Sequence, residues 1–194
     1  MSAILFSKNA ERSLADLVEL SGFSEQDAKL LASYYLTTSQ WTEEIVQTFY
    51  EALFAYEPTA KVFQDGERAA REQTLRDWYH EVASGRIDSD FWRKQWMVGL
   101  VHIKRQVSNA FMLGMMSKVQ QVFLSKCFQE LPLAEAVALY MAFKRVTDVV
   151  AGLIAEGYFE NYFIALERTV GFKRSLVARM LELEINKMLH EARG

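Results

Sequence analysis

Three histidines, His80, His102 and His190, occur in these 194 residues. Only His102 lies in the middle of a strongly apolar helical stretch, Phe91-Trp92-Arg93-Lys94-Gln95-Trp96-Met97-Val98-Gly99-Leu100-Val101-His102. An imidazole that faces an apolar interior needs a partner for its ring nitrogen, and a metal such as iron is a good one. The more frequent outcome is a core histidine hydrogen-bonded to a carbonyl. Two hydroxyls precede it, Thr74 by twenty-eight residues and Tyr50 by fifty-two. Tyr50 sits in the apolar run Phe49-Tyr50-Glu51-Ala52-Leu53-Phe54, where a buried hydroxyl needs a partner. The commoner outcome is a core ring whose hydroxyl reaches the surface. The hydroxyl of Thr74 more often satisfies the carbonyl one turn back. Each residue alone decides little.

The elements that must position these groups are helices. There are two prolines and nine glycines, strong helix formers dominate, and no alternating β-branched run is bounded by turns. The pattern predicts a short helix over Asn9–Leu20, stopped near Ser21-Gly22. Ser24 with Asp27 forms a variant of the capping box and starts a helix to about Tyr35. Thr42 is a cap candidate for Glu43–Ala55, and Pro58 suits the first turn of a short helix. Gly66–Ser84 reads as helix ending at Gly85. Asp88-Ser89-Asp90 caps the His102 helix, Ser108–Gln129 ends at Pro132, and a long helix runs from Leu133 to Thr169 or breaks at Gly157. After Gly171, Arg174–Glu191 is amphipathic. On the His102 helix, Phe91, Gln95, Val98 and His102 share a face. Gly99 thins the helix one turn before the histidine, so that a flat object can approach the backbone.

Bulk properties narrow the function. The chain is 51% hydrophobic and 13% aromatic with a formal net charge of −3, so a packed core is expected and no basic stripe suggests nucleic acid. The lone cysteine, Cys127, fits a reducing cytoplasm and an inert apolar role. Met1 to Lys8 has no basic lead-in or cleavage site and reads as mature protein. Nothing approaches the length of an apolar membrane span, so membrane insertion is not expected.

Taken together, the segments from about Glu43 to Val122 resemble the haem domain of the globin-coupled sensors, a branch of the globin superfamily related to protoglobins. Phe49-Tyr50 with Leu53 is similar to the family's distal-tyrosine helix, and Gln73-Thr74-Leu75 to its distal helix. Gly85-Arg86-Ile87-Asp88 resembles the turn before the proximal helix. His102 takes the place of the proximal histidine, and Phe111-Met112-Leu113-Gly114 resembles the signature that follows it. Three departures are visible: His102-Ile103-Lys104-Arg105-Gln106 stands where His-x-Arg-Ile-Gly is common, Met112 where an aromatic is usual, and Ala69 and Ala70 in the distal helix where bulkier aliphatics are common.

The resemblance implies an all-α globin fold of the protoglobin type with an extra N-terminal helix and a helical C-terminal extension. Residues 1–170 would form the haem-binding domain and 171–194 the extension. It implies haem b with His102 as iron ligand, and Tyr50 or Thr74 as donor to a diatomic gas (O2, CO or NO). Apolar walls would come from Leu53, Phe54, Phe63, Leu75, Trp78, Val98 and Phe111, although Trp78 and Trp96 read more safely as core fillers. Lys94, Lys104 and Arg105 are candidates to pair with haem propionates, while His80 reads as peripheral and His190 as surface. The long helices would form a homodimer through an intermolecular four-helix bundle, with a possible downstream signalling protein. The implied activity is reversible gas binding, as in a sensor, and not turnover. Two alternatives stand beside it: a haem-free globin-like partner module, and a haem globin that consumes NO or peroxide.

Overall fold

Each helix begins and ends on a local signal. The computed structural model describes residues 8–63, 66–171 and 173–192. The apolar opening Ile4-Leu5-Phe6 lies outside them. Helix α1 is Lys8–Ser21, and Gly22 stops it at φ +70°. Helix α2, Glu25–Ser33, opens on the expected box: Asp27 accepts from both the Ser24 backbone N–H (2.9 Å) and the Ser24 hydroxyl (3.1 Å). The helix stops earlier than its pattern predicts. It breaks at Tyr34 and resumes as the single turn α3, Tyr35–Thr38, followed by a 3-10 turn at Ser39–Trp41.

Helix α4 is Thr42–Ala55 and α5 is Glu57–Ala60, with Pro58 in its first turn as expected. Thr42 is inside α4 and not its cap. Its hydroxyl donates to the Ser39 carbonyl at 2.7 Å. Helix α6, Arg68–Ala83, starts two residues after Gly66, whose φ of +82° does not continue a helix. The turn at Gly85 has a second reason for glycine. Its φ is +68°, and a Cβ there would come within 2.1 Å of the Ala28 carbonyl oxygen on α2.

Helix α7, Ser89–Arg105, carries the histidine. Asp88 caps it, accepting from the Phe91 N–H at 2.8 Å. Lys104 and Arg105 fall in its last turn, where positive charge suits the helix dipole. Gln106 then ends it in the left-handed conformation at φ 57°. Ser108 caps helix α8, Asn109–Glu130, accepting from the Phe111 N–H. Helix α9, Leu133–Val170, is unbroken through Gly157, and α10 is Arg174–Glu191.

The chain divides into a unit of Met1–Tyr158 and a unit of Phe159–Gly194. The first holds the core, in which Trp41, Tyr79, Phe91, Trp96, Phe123 and Phe143 are fully buried. Phe123 of α8 and Phe143 of α9 stack with centroids 3.8 Å apart. Helix α4 packs on both α6 and α8. Burying aromatic rings of this size supplies roughly 25 cal/mol per Å² of apolar area, which makes this cluster the main anchor of the unit. In the second unit, Arg174 pairs with Glu160 and lies over the Phe163 ring. Helix α10 buries no side chain.

The glycine of the histidine helix does something other than admit a flat ligand. A Cβ on Gly99 would meet the backbone of α9, 2.5 Å from the Tyr158 nitrogen and 2.8 Å from the Ile154 carbonyl oxygen. A Cβ on Gly157 would in turn sit 2.7 Å from the Trp96 carbonyl oxygen. Two glycines face each other where α7 crosses α9. The expectation that Gly99 opens room for a ligand is therefore corrected: it opens room for a helix. The small residue still matters to the site, because this crossing fixes α7 one turn before His102.

Candidate functional site

A cavity of about 390 Å³ opens in the first unit. Helix α4 supplies Phe49, Tyr50 and Leu53 to its wall. The α5 region gives Thr59, Val62 and Phe63, and α6 gives Arg71, Thr74, Leu75 and Trp78. From α7 and the turn after it come Gln95, Val98, Val101, His102, Arg105 and Val107. Helix α8 adds Phe111, Met112, Met115, Met116 and Val119, and α9 closes the wall with Val150 and Ile154. The lining is overwhelmingly apolar, with a few polar groups set into it, as in pockets that hold a large apolar ligand in one orientation.

Eight of the nine residues singled out in the sequence line this one cavity: Tyr50, Leu53, Phe63, Thr74, Leu75, Val98, His102 and Phe111. The ninth, Phe54, stands behind the wall. Its ring packs 5.5 Å from Phe63 and 6.2 Å from Tyr50, and the Arg68 guanidinium caps it at 5.1 Å. Trp78, read as a core filler, also lines the cavity, whereas Trp96 is buried in the core.

His102 is half-buried, and its Nδ1 is enclosed with no hydrogen-bond partner among the described residues. Burial lowers its pKa from the ordinary imidazole value, because the surroundings penalise the charged ring. The ring is therefore neutral at neutral pH and keeps a nitrogen lone pair for a metal. The carbonyl partner that a core histidine would require is not the one found at this nitrogen.

Tyr50 is 4% exposed, and its hydroxyl has no partner among the described residues. Burial, reinforced by the nearby Glu72 carboxylate and opposed by Arg71, Arg76 and Arg68, pushes its pKa up to about 12. It is a proton donor at any physiological pH. Its ring is fixed by edge contacts with Phe49 (5.1 Å) and Phe63 (6.2 Å). Thr74 behaves differently. It is on the exposed side of α6, and its hydroxyl donates to the Ala70 carbonyl at 3.0 Å. Of the two hydroxyls, only that of Tyr50 is uncommitted.

The charged residues near the cavity also sort themselves. Lys94 is engaged with Glu81 and does not line it, and neither does Lys104. Arg105 does, beside Arg71. His80 is held away from the cavity between the Tyr35 hydroxyl (3.1 Å) and the Thr42 hydroxyl (3.4 Å). Arg71, Gln95 and the three methionines Met112, Met115 and Met116 are cavity residues that sequence reasoning did not single out as site residues. Gln95 had a usable signal, since it shares the His102 face. Met112 had one in its place within the signature after His102; Met115 and Met116 had none beyond helix periodicity.

Helices in this order, packed around an apolar cavity with one histidine set in the wall, define a globin fold. The protoglobin family model matches residues 10–163, and the chain belongs to the protoglobin family. Its fold is similar to that of the globin domain of Geobacter sulfurreducens globin-coupled sensor, with a TM-score of 0.68 at 21% sequence identity. That likeness covers 74% of this chain and 96% of the other. No curated protein matches the chain. Among the described residues, no helix is long and apolar enough to cross a membrane.

Proposed function

We propose that this chain holds haem b in the cavity through His102 and reversibly binds a diatomic gas there, as the sensing domain of a cytoplasmic signalling system. The observation that carries the reading is the pair of uncommitted polar atoms in one apolar cavity: a neutral imidazole on α7 and an un-ionised hydroxyl, that of Tyr50, on α4. Haem supplies the affinity for O2, CO or NO. The protein supplies everything else. His102 offers a nitrogen lone pair as the protein ligand to iron. Tyr50 would donate a hydrogen bond to a gas ligand that carries partial negative charge, worth on the order of 1 kcal/mol net and more where water is excluded. Leu53, Phe63, Leu75, Val98, Phe111 and Trp78 exclude that water.

Residues 1–170 would act as the haem domain and residues 171–194 as a helical extension. A homodimer through α8 and α9, with a downstream protein reading its state, completes the proposal. The decisive experiment is an absorption spectrum of the haem-supplemented protein and of His102→Ala. The wild type should give a strong band at about 400 nm, the Soret region of haem proteins held by one axial histidine, that shifts with CO. His102→Ala should lose that coordination and regain it with added imidazole. A colourless wild type would leave the haem-free partner module as the better reading.

A further inference from the structure

Two positive charges, Arg71 and Arg105, line a cavity whose wall contains no carboxylate among the described residues. Both are tied to one acidic residue just outside it. Arg105 grips Glu67 with two hydrogen bonds, 2.8 Å and 2.6 Å, in the fork geometry of a bidentate pair. Arg71 reaches the same carboxylate at 3.4 Å. The pairing is uneven. The Nε–H of Arg71 is enclosed and has no acceptor among the described residues. Two guanidiniums sharing one carboxylate leave the rim with a net positive charge and an unmet donor. Such a rim selects a ligand with an apolar body and carboxylate ends.

We propose that Glu67 is an internal competitor for the carboxylates of the cavity's ligand: it occupies the seat on Arg105 and Arg71 from within the chain and releases it when a dicarboxylate ligand enters. The inference rests on the haem reading above and adds what governs retention. Glu67 sits immediately before α6, with its side chain about one-fifth exposed (21%), so it turns to water when displaced. Arg71 and Arg105 keep 35% and 25% of their side chains exposed, so the pairs are screened and exchangeable rather than locked. A ligand with two carboxylates would be held by the Arg71 guanidinium at one and by Arg105 at the other. A ligand with none gains nothing from either.

The test uses metal-free protoporphyrin, so that no iron–histidine bond enters, and compares it with its dimethyl ester. Each is titrated into the ligand-free protein and followed by quenching of tryptophan fluorescence. Glu67→Gln should bind the diacid about fivefold more tightly than wild type, the scale of one partly exposed ion pair, with the ester unchanged. Arg105→Gln should weaken the diacid toward the ester, and in the background of Arg71→Gln with Arg105→Gln the Glu67→Gln change should be silent. The combination guards against a variant that merely perturbs folding, since a structural role for Glu67 moves both porphyrins together. If the diacid binds wild type and Glu67→Gln alike, or if acid and ester gain equally, the competitor role is wrong while the pocket reading survives. If neither porphyrin binds wild type, the pocket reading fails and takes the competitor role with it.

Discussion

His102 serves the site only while it is uncharged. Burial lowers its pKa below the ordinary value of 6.5. As pH falls through that value, the unfolded chain takes up a proton that the folded chain refuses, so the unfolded state gains. The ligand-free protein should lose stability from about pH 6.5 downward, and stop losing it on this account once the folded imidazole also protonates. Thermal melts of wild type and His102→Leu between pH 7.5 and the low-pH side of that window check this. The wild type should lose ground to the variant across the window and hold a constant offset below it. A parallel pair of curves throughout would mean that burial does not act on this ring. The two hydroxyls make a second contrast at the same scale. Tyr50→Phe should raise the O2 dissociation rate by about fivefold, the loss of one hydrogen bond, and leave CO nearly unaffected. Thr74→Val should change neither, because the threonine hydroxyl is already donated to Ala70. Stopped-flow ligand release resolves both.

At the level of elements, the crossing of α7 and α9 carries the position of the histidine. Gly99→Ala places a methyl group 2.5 Å from backbone on the facing helix, which cannot move aside as a side chain would. It should destabilise the protein by about 1–3 kcal/mol, as overpacking does. Gly114→Ala on α8 is the matched control. A Cβ there meets nothing within 4 Å, so it should stabilise by roughly 0.5–1 kcal/mol through helix propensity alone. Urea unfolding of the two variants separates a steric glycine from an idle one. The same pair explains what was legible beforehand. Helix ends were readable where a cap chemistry is local: Ser24 with Asp27, Asp88, Pro58 and Gly85 all act within a few residues of themselves. The purpose of Gly99 was not readable, because the residue that demands it, Gly157, lies on another helix. The cavity was legible on α4, α6 and α7, where rings and hydroxyls fall on a family pattern. It was legible on α8 only at Phe111 and not on α9: Met115, Met116, Val150 and Ile154 look like any apolar face. Arg71 escaped notice for a related reason: its partner Glu67 also bonds Arg105, and only the fold brings all three to one rim.

Over the whole molecule, two surfaces of α8 and α9 stay apolar and uncovered within the first unit. Phe128 is 51% exposed on α8, and Leu133, Val137 and Met141 recur on one side of α9 with Leu133 at 70%. Single exposed hydrophobics are ordinary, and the run at four-residue spacing on α9 is the feature on which the proposed homodimer rests. A twofold copy would bring these faces together as a bundle of four helices. Sedimentation of the wild type should therefore give the dimer mass, and Phe128→Glu with Val137→Glu should give the monomer mass. Neither Phe128 nor Val137 lines the cavity, so the haem spectrum of that variant should match wild type. The same reasoning applies to the C-terminal segment. Helix α10 buries no side chain, and removing residues 175–194, which keeps the Arg174–Glu160 pair, should leave both the spectrum and the unfolding midpoint in place. A truncated chain that keeps its pigment but loses its dimer mass would move the interface from α8 and α9 to α10. One that keeps both would assign α10, with Leu176, Met180, Leu183 and Met188 exposed, to whatever protein reads the state of the globin.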